Sequence, residues 1–148
     1  MENIKSHILE NTVTSNSKQA YFLIESGKME IYSKNKKLSE EEILKKFQKI
    51  DKKFQQKYLV FKDLRKKGYI VKTALKFGAE FRVYEKGKKP GKEHAKWLVI
   101  TGNESNKISW HEFSSKNRVA HSTRKNLLLA LVDEEGKIIY YEIKWVKP

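Results

Sequence analysis

The 148-residue chain contains no cysteine, and this absence removes several classes of chemistry. Disulfide bonds, thiolate nucleophiles and cysteine-based zinc sites are all excluded. No apolar run approaches the roughly 18 residues that a membrane span requires. The N-terminal residues also lack the apolar stretch of a signal peptide. We therefore expect a cytoplasmic protein that has no membrane association.

Histidine is scarce, with four residues in the whole chain. No two of them have the spacing of a helical zinc site, and no HExxH motif occurs. The glycine-flanked serine of a nucleophile elbow is missing as well. We therefore expect an active site that holds neither a metal nor a cofactor.

Positive charge is abundant by contrast. The chain has 32 Lys+Arg against 18 Asp+Glu, which gives a formal net charge of +14. Such a charge on a 17.5 kDa protein favours polyanionic partners, either nucleic acid or an anionic surface. Most of the cations are lysines, a bias that AT-rich coding alone can produce, so the charge does not identify the partner by itself.

The first third of the chain has patterns typical of short strands followed by a helix. Strand patterns cover Tyr21–Glu25 and Met29–Tyr32, and Ser26–Lys28 forms a predicted turn between them. Ser39 is a candidate N-cap, and Glu42 three residues later completes a capping box. The apolar residues that follow repeat at helical spacing, which predicts an amphipathic helix.

A charged break divides the sequence into two predicted subdomains, residues 1–52 and residues 53–148. The second subdomain has the order helix, three strands, helix, two strands, which predicts an α/β fold. Its predicted elements are a helix at Phe54–Lys67, strands at Tyr69–Ala74, Phe81–Glu85 and Trp97–Thr101, a helix from the N-cap Ser109 to about residue 121, and strands at Leu127–Val132 and Ile138–Val146.

An acidic pattern near the C-terminus allows one metal-dependent interpretation. Asp133 follows one predicted strand, and Glu142 and Lys144 form an E-x-K pattern on the next. Metal-dependent DNases use such carboxylates to hold a divalent cation for phosphodiester hydrolysis. The pattern is short and common by chance, and a turn acid followed by an edge strand with alternating charges is the simpler explanation.

A longer signal consists of several blocks that occur in order. They are FKDLRKKGYIVKT at residues 61–73, KFGAEFRVYE at 76–85, HAKWLV at 94–99, RVAHSTRK at 118–125 and ALVD at 130–133. In these blocks the chain resembles the catalytic subunits of the archaeal tRNA-splicing endonuclease family over roughly residues 54 to 148. The resemblance implies a C-terminal, restriction-endonuclease-like catalytic domain with a mixed sheet. The small α/β subdomain predicted before it looks shorter than the N-terminal domain that is usual in the family, which is a departure from the resemblance.

The resemblance implies that Tyr84, His94 and Lys125 are the catalytic residues. The family cuts RNA without a metal, by attack of the substrate's own 2′-hydroxyl on the adjacent phosphate. This lyase-type cleavage needs a base for the 2′-hydroxyl, an acid for the departing 5′ oxygen and a cation for the crowded phosphorane. Tyr84 is the expected base, His94 the expected acid and Lys125 the expected cation.

The resemblance also implies residues that recognise RNA. The expected substrate is precursor tRNA with a bulge-helix-bulge at the intron–exon junctions. Arg118 falls where a family arginine clamps a flipped-out bulge base, and a guanidinium can stack on such a base. Lys144 and Trp145 fall in the region of the second clamp, where Trp145 could supply the stacking surface instead.

Assembly is the last property that the resemblance implies. Asp133, Glu134 and Glu135 predict a turn from their residue types alone, whereas in the family an acidic loop at this place inserts into a basic cleft of another subunit. A chain with one catalytic unit and a short N-terminal part favours a heterotetramer with a related structural subunit over a homotetramer. A non-catalytic RNA-binding or scaffold subunit remains an alternative.

Overall fold

A computed structural model of the chain describes residues 4–7 and 16–148. The chain divides into two compact units, residues 1–58 and residues 59–148, with the division inside helix α3 (Phe54–Lys66). The boundary predicted after residue 52 stays a prediction. The N-terminal residues on which the absence of a signal peptide rests lie largely outside the described part. Within the described residues, no helix is both long and apolar enough to cross a bilayer.

The first unit combines a three-stranded sheet with helices. Strand β1 pairs in parallel with β2, and β2 pairs antiparallel with β3. Its elements are β1 (Ile4–His7), α1 (Ser17–Glu25), β2 (Met29–Ser33), β3 (Lys36–Lys37), α2 (Glu40–Ile50) and the first part of α3. Of these, β2 and α2 confirm the sequence prediction, whereas β1 and β3 were not predicted.

The start of α2 confirms the predicted helix cap. The Ser39 hydroxyl oxygen accepts a hydrogen bond from the Glu42 backbone N–H at 3.3 Å, which satisfies one of the free donors at the helix start. Leu38 before the cap and Ile43 after it are both buried. The predicted helix therefore begins at its predicted position.

The predicted strand at Tyr21–Glu25 is wrong, because these residues end helix α1. Tyr21 and Ile24, three positions apart, lie on one face of this helix and are buried. The Tyr21 ring meets Phe54 and Tyr58 edge to face, at centroid distances of 5.9 and 4.8 Å. Packing at helical spacing overrides the strand propensity of a short aromatic and β-branched run.

The second unit contains a mixed sheet of five strands in the order β4-β5-β6-β7-β8. All neighbouring pairs are antiparallel except β6 and β7, which are parallel and are joined through helix α4. The elements are β4 (Ile70–Thr73), a 3₁₀ turn (Leu75–Phe77), β5 (Phe81–Tyr84), β6 (Trp97–Asn103), α4 (Trp110–Ser122), β7 (Asn126–Val132) and β8 (Ile138–Ile143). This arrangement confirms the predicted mixed-sheet α/β class.

Helices cover both faces of this sheet. On one face, the Phe61 ring of α3 lies 5.7 Å from the Phe81 ring of β5. On the other face, Leu98 and Leu127 pack in one buried cluster with Ala120 of α4. Residues two apart on a strand share a face, so each strand contributes alternately to the two layers.

The final strand is shorter than predicted. Strand β8 ends at Ile143, where its pairing partner is Leu127. Continuing this register would place residue 144 opposite Asn126, the first residue of β7, and residues 145 and 146 opposite Lys125 and Arg124. Those two residues belong to the turn after α4, so residues 145 and 146 have no strand beside them. The predicted extension to Val146 is therefore wrong.

Asp51 stabilises the first unit through an ion-pair cluster. Its Oδ2 accepts hydrogen bonds from the ammonium groups of Lys18 at 3.1 Å and Lys57 at 3.0 Å, and Oδ1 accepts one from the Lys53 backbone N–H. Burial alone would raise the pKa of the Asp51 carboxyl, but the hydrogen bonds from Lys57 and Lys18 outweigh burial and lower it. The ionised carboxylate is therefore stabilised by the fold.

We predict that Asp51→Asn costs roughly 1–2 kcal/mol of unfolding free energy at pH 7, the scale of hydrogen bonds to charged groups. A folded-state pKa below the unfolded value gives stability that is present above about pH 4 and is lost as the pH falls further. Urea unfolding of both proteins from pH 7 to pH 2.5 should show the difference shrinking with acidification. A difference that does not change with pH would contradict this role of the charge.

Candidate active site

One row of the second sheet joins the ends of three strands. Val83 of β5 pairs with Trp97 of β6, and Trp97 pairs with Asn126 of β7. Because β5 is antiparallel to the parallel pair β6 and β7, the end of β5 meets the starts of the other two. Both Tyr84, which follows Val83 on β5, and Lys125, which precedes Asn126 of β7, lie one position beyond this row. With strands about 4.8 Å apart, their backbones are roughly 10 Å from each other.

Tyr84 occupies the last position of β5 and is only 5% exposed. It shares a sheet face with Arg82, two residues earlier. Arg82 pairs with Leu98, whose side chain belongs to the core cluster under α4. The Tyr84 side chain therefore lies on the α4 side of the sheet, at its β5–β6–β7 end.

A helix-ending turn fixes the backbone of Lys125. The Lys125 N–H donates to the Ala120 carbonyl at 2.8 Å, and the Arg124 N–H donates to the His121 carbonyl at 3.0 Å. This is the Schellman pattern, in which the residue after the cap adopts a left-handed conformation. Arg124 holds that position with φ 58°, where glycine is the usual residue. The turn delivers the chain directly from α4 into β7.

The Lys125 ammonium is held in a partly buried position. It donates a hydrogen bond to the Thr123 carbonyl at 2.9 Å and lies 5.2 Å from the centroid of the Phe77 ring. Burial lowers the pKa of Lys125, and the positive charges of Arg82 and Lys76 lower it further. Within residues 16–148 no carboxylate pairs with this ammonium, so the group is a cation that gains from an added anion.

His94 lies on the loop between β5 and β6 and is exposed. The preceding residue braces this loop, because the Glu93 carboxylate accepts hydrogen bonds from the Lys88 ammonium at 2.9 Å and the Lys89 backbone N–H at 3.0 Å. These two bonds lower the pKa of the Glu93 carboxyl. The following residue, Ala95, is buried. His94 therefore projects from a short segment that is anchored on both sides.

The fold brings the three predicted catalytic residues to the same end of one sheet. Tyr84 ends β5, His94 lies three positions before β6, and Lys125 immediately precedes β7. They come from separate sequence blocks, and the strand register is what gathers them. An arrangement with a buried phenol, an exposed imidazole and a partly buried ammonium can supply a base, an acid and a cation to one phosphate.

The alternative metal site is not formed. The Asp133 N–H bonds to the Lys137 carbonyl, whereas Glu142 pairs with Leu128 near the other end of β8. Five strand positions, about 17 Å, therefore separate the two carboxylates along the sheet. Glu142 instead accepts hydrogen bonds from the side chains of Trp97 at 3.0 Å and Asn126 at 2.8 Å.

Lys144, the third residue of that hypothesis, lies beyond the end of β8, with its ammonium 3.6 Å from the Glu142 carboxylate. Within the described residues, no group of three or more possible ligands is placed to hold a metal ion. The metal-dependent DNase interpretation is therefore wrong, because the strand register holds its two acids apart.

Comparison with known proteins identifies the family. A model described as the tRNA intron endonuclease, catalytic C-terminal domain, matches residues 54–140, from the start of α3 into β8. The chain belongs to the tRNA intron endonuclease family. This confirms the resemblance seen in the sequence and the enzyme class that it implied.

Several curated relatives extend the match to most of the chain. A protein named tRNA-splicing endonuclease from Nanoarchaeum equitans is 48% identical over 136 residues, which cover 88% of this chain and 87% of the relative. Proteins of the same name from Pyrococcus abyssi and Methanothermobacter thermautotrophicus are 45% and 42% identical. These two alignments cover 87% and 88% of this chain, and 74% and 75% of the respective relatives.

The predicted RNA-contacting residues of this endonuclease lie partly on α4. Arg118 is exposed, and His121 follows one helical turn later on the same face. The Trp145 ring stacks on His121, with centroids 4.2 Å apart and an interplanar angle of 9°. Trp145 remains 54% exposed. The structure thus brings Arg118 and Trp145 to one surface, although Trp145 lies after the strand that was predicted to carry it.

The acidic residues form the turn between β7 and β8. The Asp133 carboxylate accepts hydrogen bonds from the backbone N–H groups of Glu135 at 2.9 Å and Lys137 at 2.8 Å. Glu135 pairs with the Lys137 ammonium at 2.8 Å, and both side chains are exposed. Asp133 therefore shapes the turn, while Glu134 is exposed and Glu135 is exposed but paired with Lys137.

Sequence reasoning missed the cations beside Lys125. Lys76 and Arg82 both influence Lys125, and the Phe77 ring contacts the ammonium groups of Lys76 and Lys125. Lys76, Phe77 and Arg82 all belong to the KFGAEFR segment, which forms part of the family resemblance. No sequence pattern indicated that this segment reaches the start of β7.

The strained turn before Lys125 gives a stability prediction. Arg124→Gly should raise the unfolding free energy by about 0.5–1 kcal/mol, because glycine adopts a left-handed conformation without the Cβ penalty. The matched control is Ser115→Gly inside α4, which should lower it by roughly 0.5 kcal/mol. Thermal and urea unfolding would measure both changes. A destabilised Arg124→Gly protein would show that the arginine side chain stabilises the fold by more than its left-handed backbone conformation destabilises it.

Proposed function

We propose that this chain is the catalytic subunit of a tRNA-splicing endonuclease, which cuts precursor tRNA at intron–exon junctions with a bulge-helix-bulge geometry. The observation that carries the proposal is the sheet end formed by β5, β6 and β7. It gathers Tyr84, His94 and Lys125 from three sequence blocks of a chain that belongs to this family. The relatives named above carry the same enzyme name, which supports the substrate class.

The proposed reaction is a transesterification within the RNA. Tyr84 takes the proton of the 2′-hydroxyl, whose oxygen forms a new bond to the adjacent phosphorus. The bond from phosphorus to the 5′ oxygen breaks, and His94 gives its proton to that oxygen. The products are a 2′,3′-cyclic phosphate and a 5′-hydroxyl, and no water or metal is consumed.

The site's positive charge supports these roles. A phenol releases its proton only near pH 10 in water, so a tyrosine base needs nearby cations that stabilise phenolate. Lys125 lies at the same sheet end, and its charge is not paired with an acid in the part of the chain that the structure describes. The same ammonium can stabilise the extra charge on the non-bridging oxygens as the phosphorane forms. An exposed imidazole such as His94 can exchange protons with solvent between turnovers.

The surface of α4 supports the proposed recognition of bulge bases. Arg118 is exposed and offers a planar cation, and the half-exposed ring of Trp145 offers an aromatic surface. Unstacked RNA bases bind to both kinds of surface, whereas bases within a duplex do not expose their faces. We assign Arg118 and Trp145 to bulge recognition and Lys144 to a neighbouring phosphate.

The edge strand and the acidic turn support assembly. Strand β8 is at the sheet edge, with Ile139 44% and Tyr141 51% exposed. Exposed apolar residues on an edge strand are typical of a subunit interface. The acidic turn at Asp133–Glu135 offers the opposite charge to a strongly basic protein. We propose a heterotetramer with a related structural subunit, and a homotetramer is the alternative outcome.

The mechanism predicts RNA cleavage in excess EDTA. Under single-turnover conditions, His94→Ala should lower the cleavage rate by about 100-fold or more, the usual scale for a lost general acid, with nearly unchanged RNA binding. His111→Ala is the matched control, because His111 is exposed on α4 away from the sheet end. Products should carry cyclic phosphate ends. Activity that EDTA abolishes and Mg²⁺ restores would overturn the mechanism, and binding without cutting would indicate a scaffold subunit.

The acidic turn predicts a salt-sensitive assembly. Replacing Asp133, Glu134 and Glu135 by serine removes the negative charge that a basic subunit would meet, so a tetramer should dissociate to dimers, more readily as salt rises. Sedimentation velocity measures the masses, and cleavage should fall together with the tetramer fraction. The control variant replaces Glu40 and Glu41 on α2. An unchanged mass with full activity would show that the acidic residues only shape the turn.

A further inference from the structure

The Phe77 ring lies beside two ammonium groups. Lys76 Nζ is 5.1 Å and Lys125 Nζ is 5.2 Å from the ring centroid, so the two cations are no farther apart than the sum of these distances. The electron-rich face of an aromatic ring attracts a cation. Phe77 therefore offsets part of the repulsion between two like charges that the fold holds together.

Arg82 adds a third positive charge to this cluster. It lies two residues before Tyr84, on the same face of the sheet, and its charge acts on Lys125. The residue that pairs with Arg82 on the neighbouring strand β4 is Lys72, another cation. The Arg82 Nε is buried and has no hydrogen-bond partner within the described part of the chain. A buried donor without an acceptor costs free energy, so the fold holds this guanidinium in place at a cost in stability.

The three cations also lack acidic partners. In residues 16–148, no carboxylate forms an ion pair with Lys76, Arg82 or Lys125, whereas the nearby Lys88 and Lys96 each pair with a glutamate. Clustered cations without counter-charge destabilise the free protein. The arrangement becomes favourable when an anion enters it.

The position of the cluster is set by the protein itself. Phe77 packs against the core cluster that contains Leu98 and Ala120. Gly78 follows with φ 68° and closes the 3₁₀ turn, and its carbonyl accepts a hydrogen bond from the Lys116 ammonium of α4 at 3.0 Å. The turn that carries Lys76 and Phe77 is therefore attached to the same helix that leads into Lys125.

We propose that Lys76, Arg82 and Lys125 form one anion site that holds the non-bridging oxygens of the RNA phosphate being cut. Arg82 binds this phosphate in both the substrate and the phosphorane, because a guanidinium presents several donors to two oxygens at once. Lys76, which is exposed, contributes at the rim of the site. This assignment rests on the proposed function and adds Arg82 and Lys76 to its substrate-binding residues.

The test is a double-mutant cycle. One positive charge is removed from the protein, one negative charge is removed from the RNA, and binding is measured for each combination. The probe is a bulge-helix-bulge RNA with a 2′-deoxy nucleotide at the cut, which prevents cleavage, carrying either a phosphate or a neutral methylphosphonate there. We expect Arg82→Gln to weaken binding of the phosphate RNA by about 10-fold, but to leave binding of the methylphosphonate RNA nearly unchanged. Equal losses for the two RNAs would overturn the assignment.

Two further variants keep the result interpretable. Lys76→Gln removes an exposed charge without touching the core, and it should show the same preference for the phosphate RNA at about 3-fold. The control Lys45→Gln, on the exposed side of α2, should affect both RNAs equally. If Arg82→Gln does not fold, equal losses of the two RNAs in Lys76→Gln alone overturn the shared site.

Wild-type cleavage of the unmodified RNA in EDTA is measured in parallel. This measurement distinguishes a failure of the proposed reaction from a failure of the proposed anion site. Phosphate-dependent losses without any cleavage would retain the anion site and refute the proposed reaction. Metal-free cleavage with equal losses for both RNAs would retain the reaction and refute the anion site.

Discussion

The register of three strands determines where the proposed catalytic groups lie. Parallel strands β6 and β7 begin at the same end of the sheet, and antiparallel β5 ends there. A one-residue slip of β7 would turn Lys125 to the opposite face, because strand side chains alternate. The Schellman turn after α4 prevents this slip by bonding the Lys125 N–H to Ala120. The geometry of one helix end thus fixes the place of a proposed catalytic cation.

Several features at this end of the sheet lower the stability of the free protein. Arg124 adopts a left-handed conformation, Lys125 is partly buried, and the cations near it have no acidic partner in the described part of the chain. Such features persist where the surrounding structure over-determines them, and they concentrate at functional sites. The core cluster under α4 and the ordered helix end supply that support. An anionic substrate would relieve the charge repulsion, which links the strain of the free protein to RNA binding.

Local signals in the sequence predicted most elements of the second unit, because each is marked by a cap, a turn or a continuous apolar run. The N-cap Ser109 begins α4 as predicted, and Ser39 does the same for α2 in the first unit. The predictions that were wrong concern elements whose structure depends on contacts with residues distant in the sequence. Tyr21 became helical through ring contacts with α3, and β8 stopped where β7 begins. The contact of Phe77 with Lys125 likewise depends on how the sheet closes, so the resemblance supplied Lys125 but not its neighbours.

The division of roles at the sheet end can be tested most directly with a modified leaving group. A substrate with sulfur in place of the departing 5′ oxygen needs no general acid, because a thiolate leaves without protonation. On this substrate His94→Ala should cleave nearly as fast as the wild type, whereas Tyr84→Phe and Lys125→Gln should remain slow. An undiminished defect of His94→Ala on the sulfur substrate would contradict this division of roles, since His94 would then act elsewhere than on the leaving group.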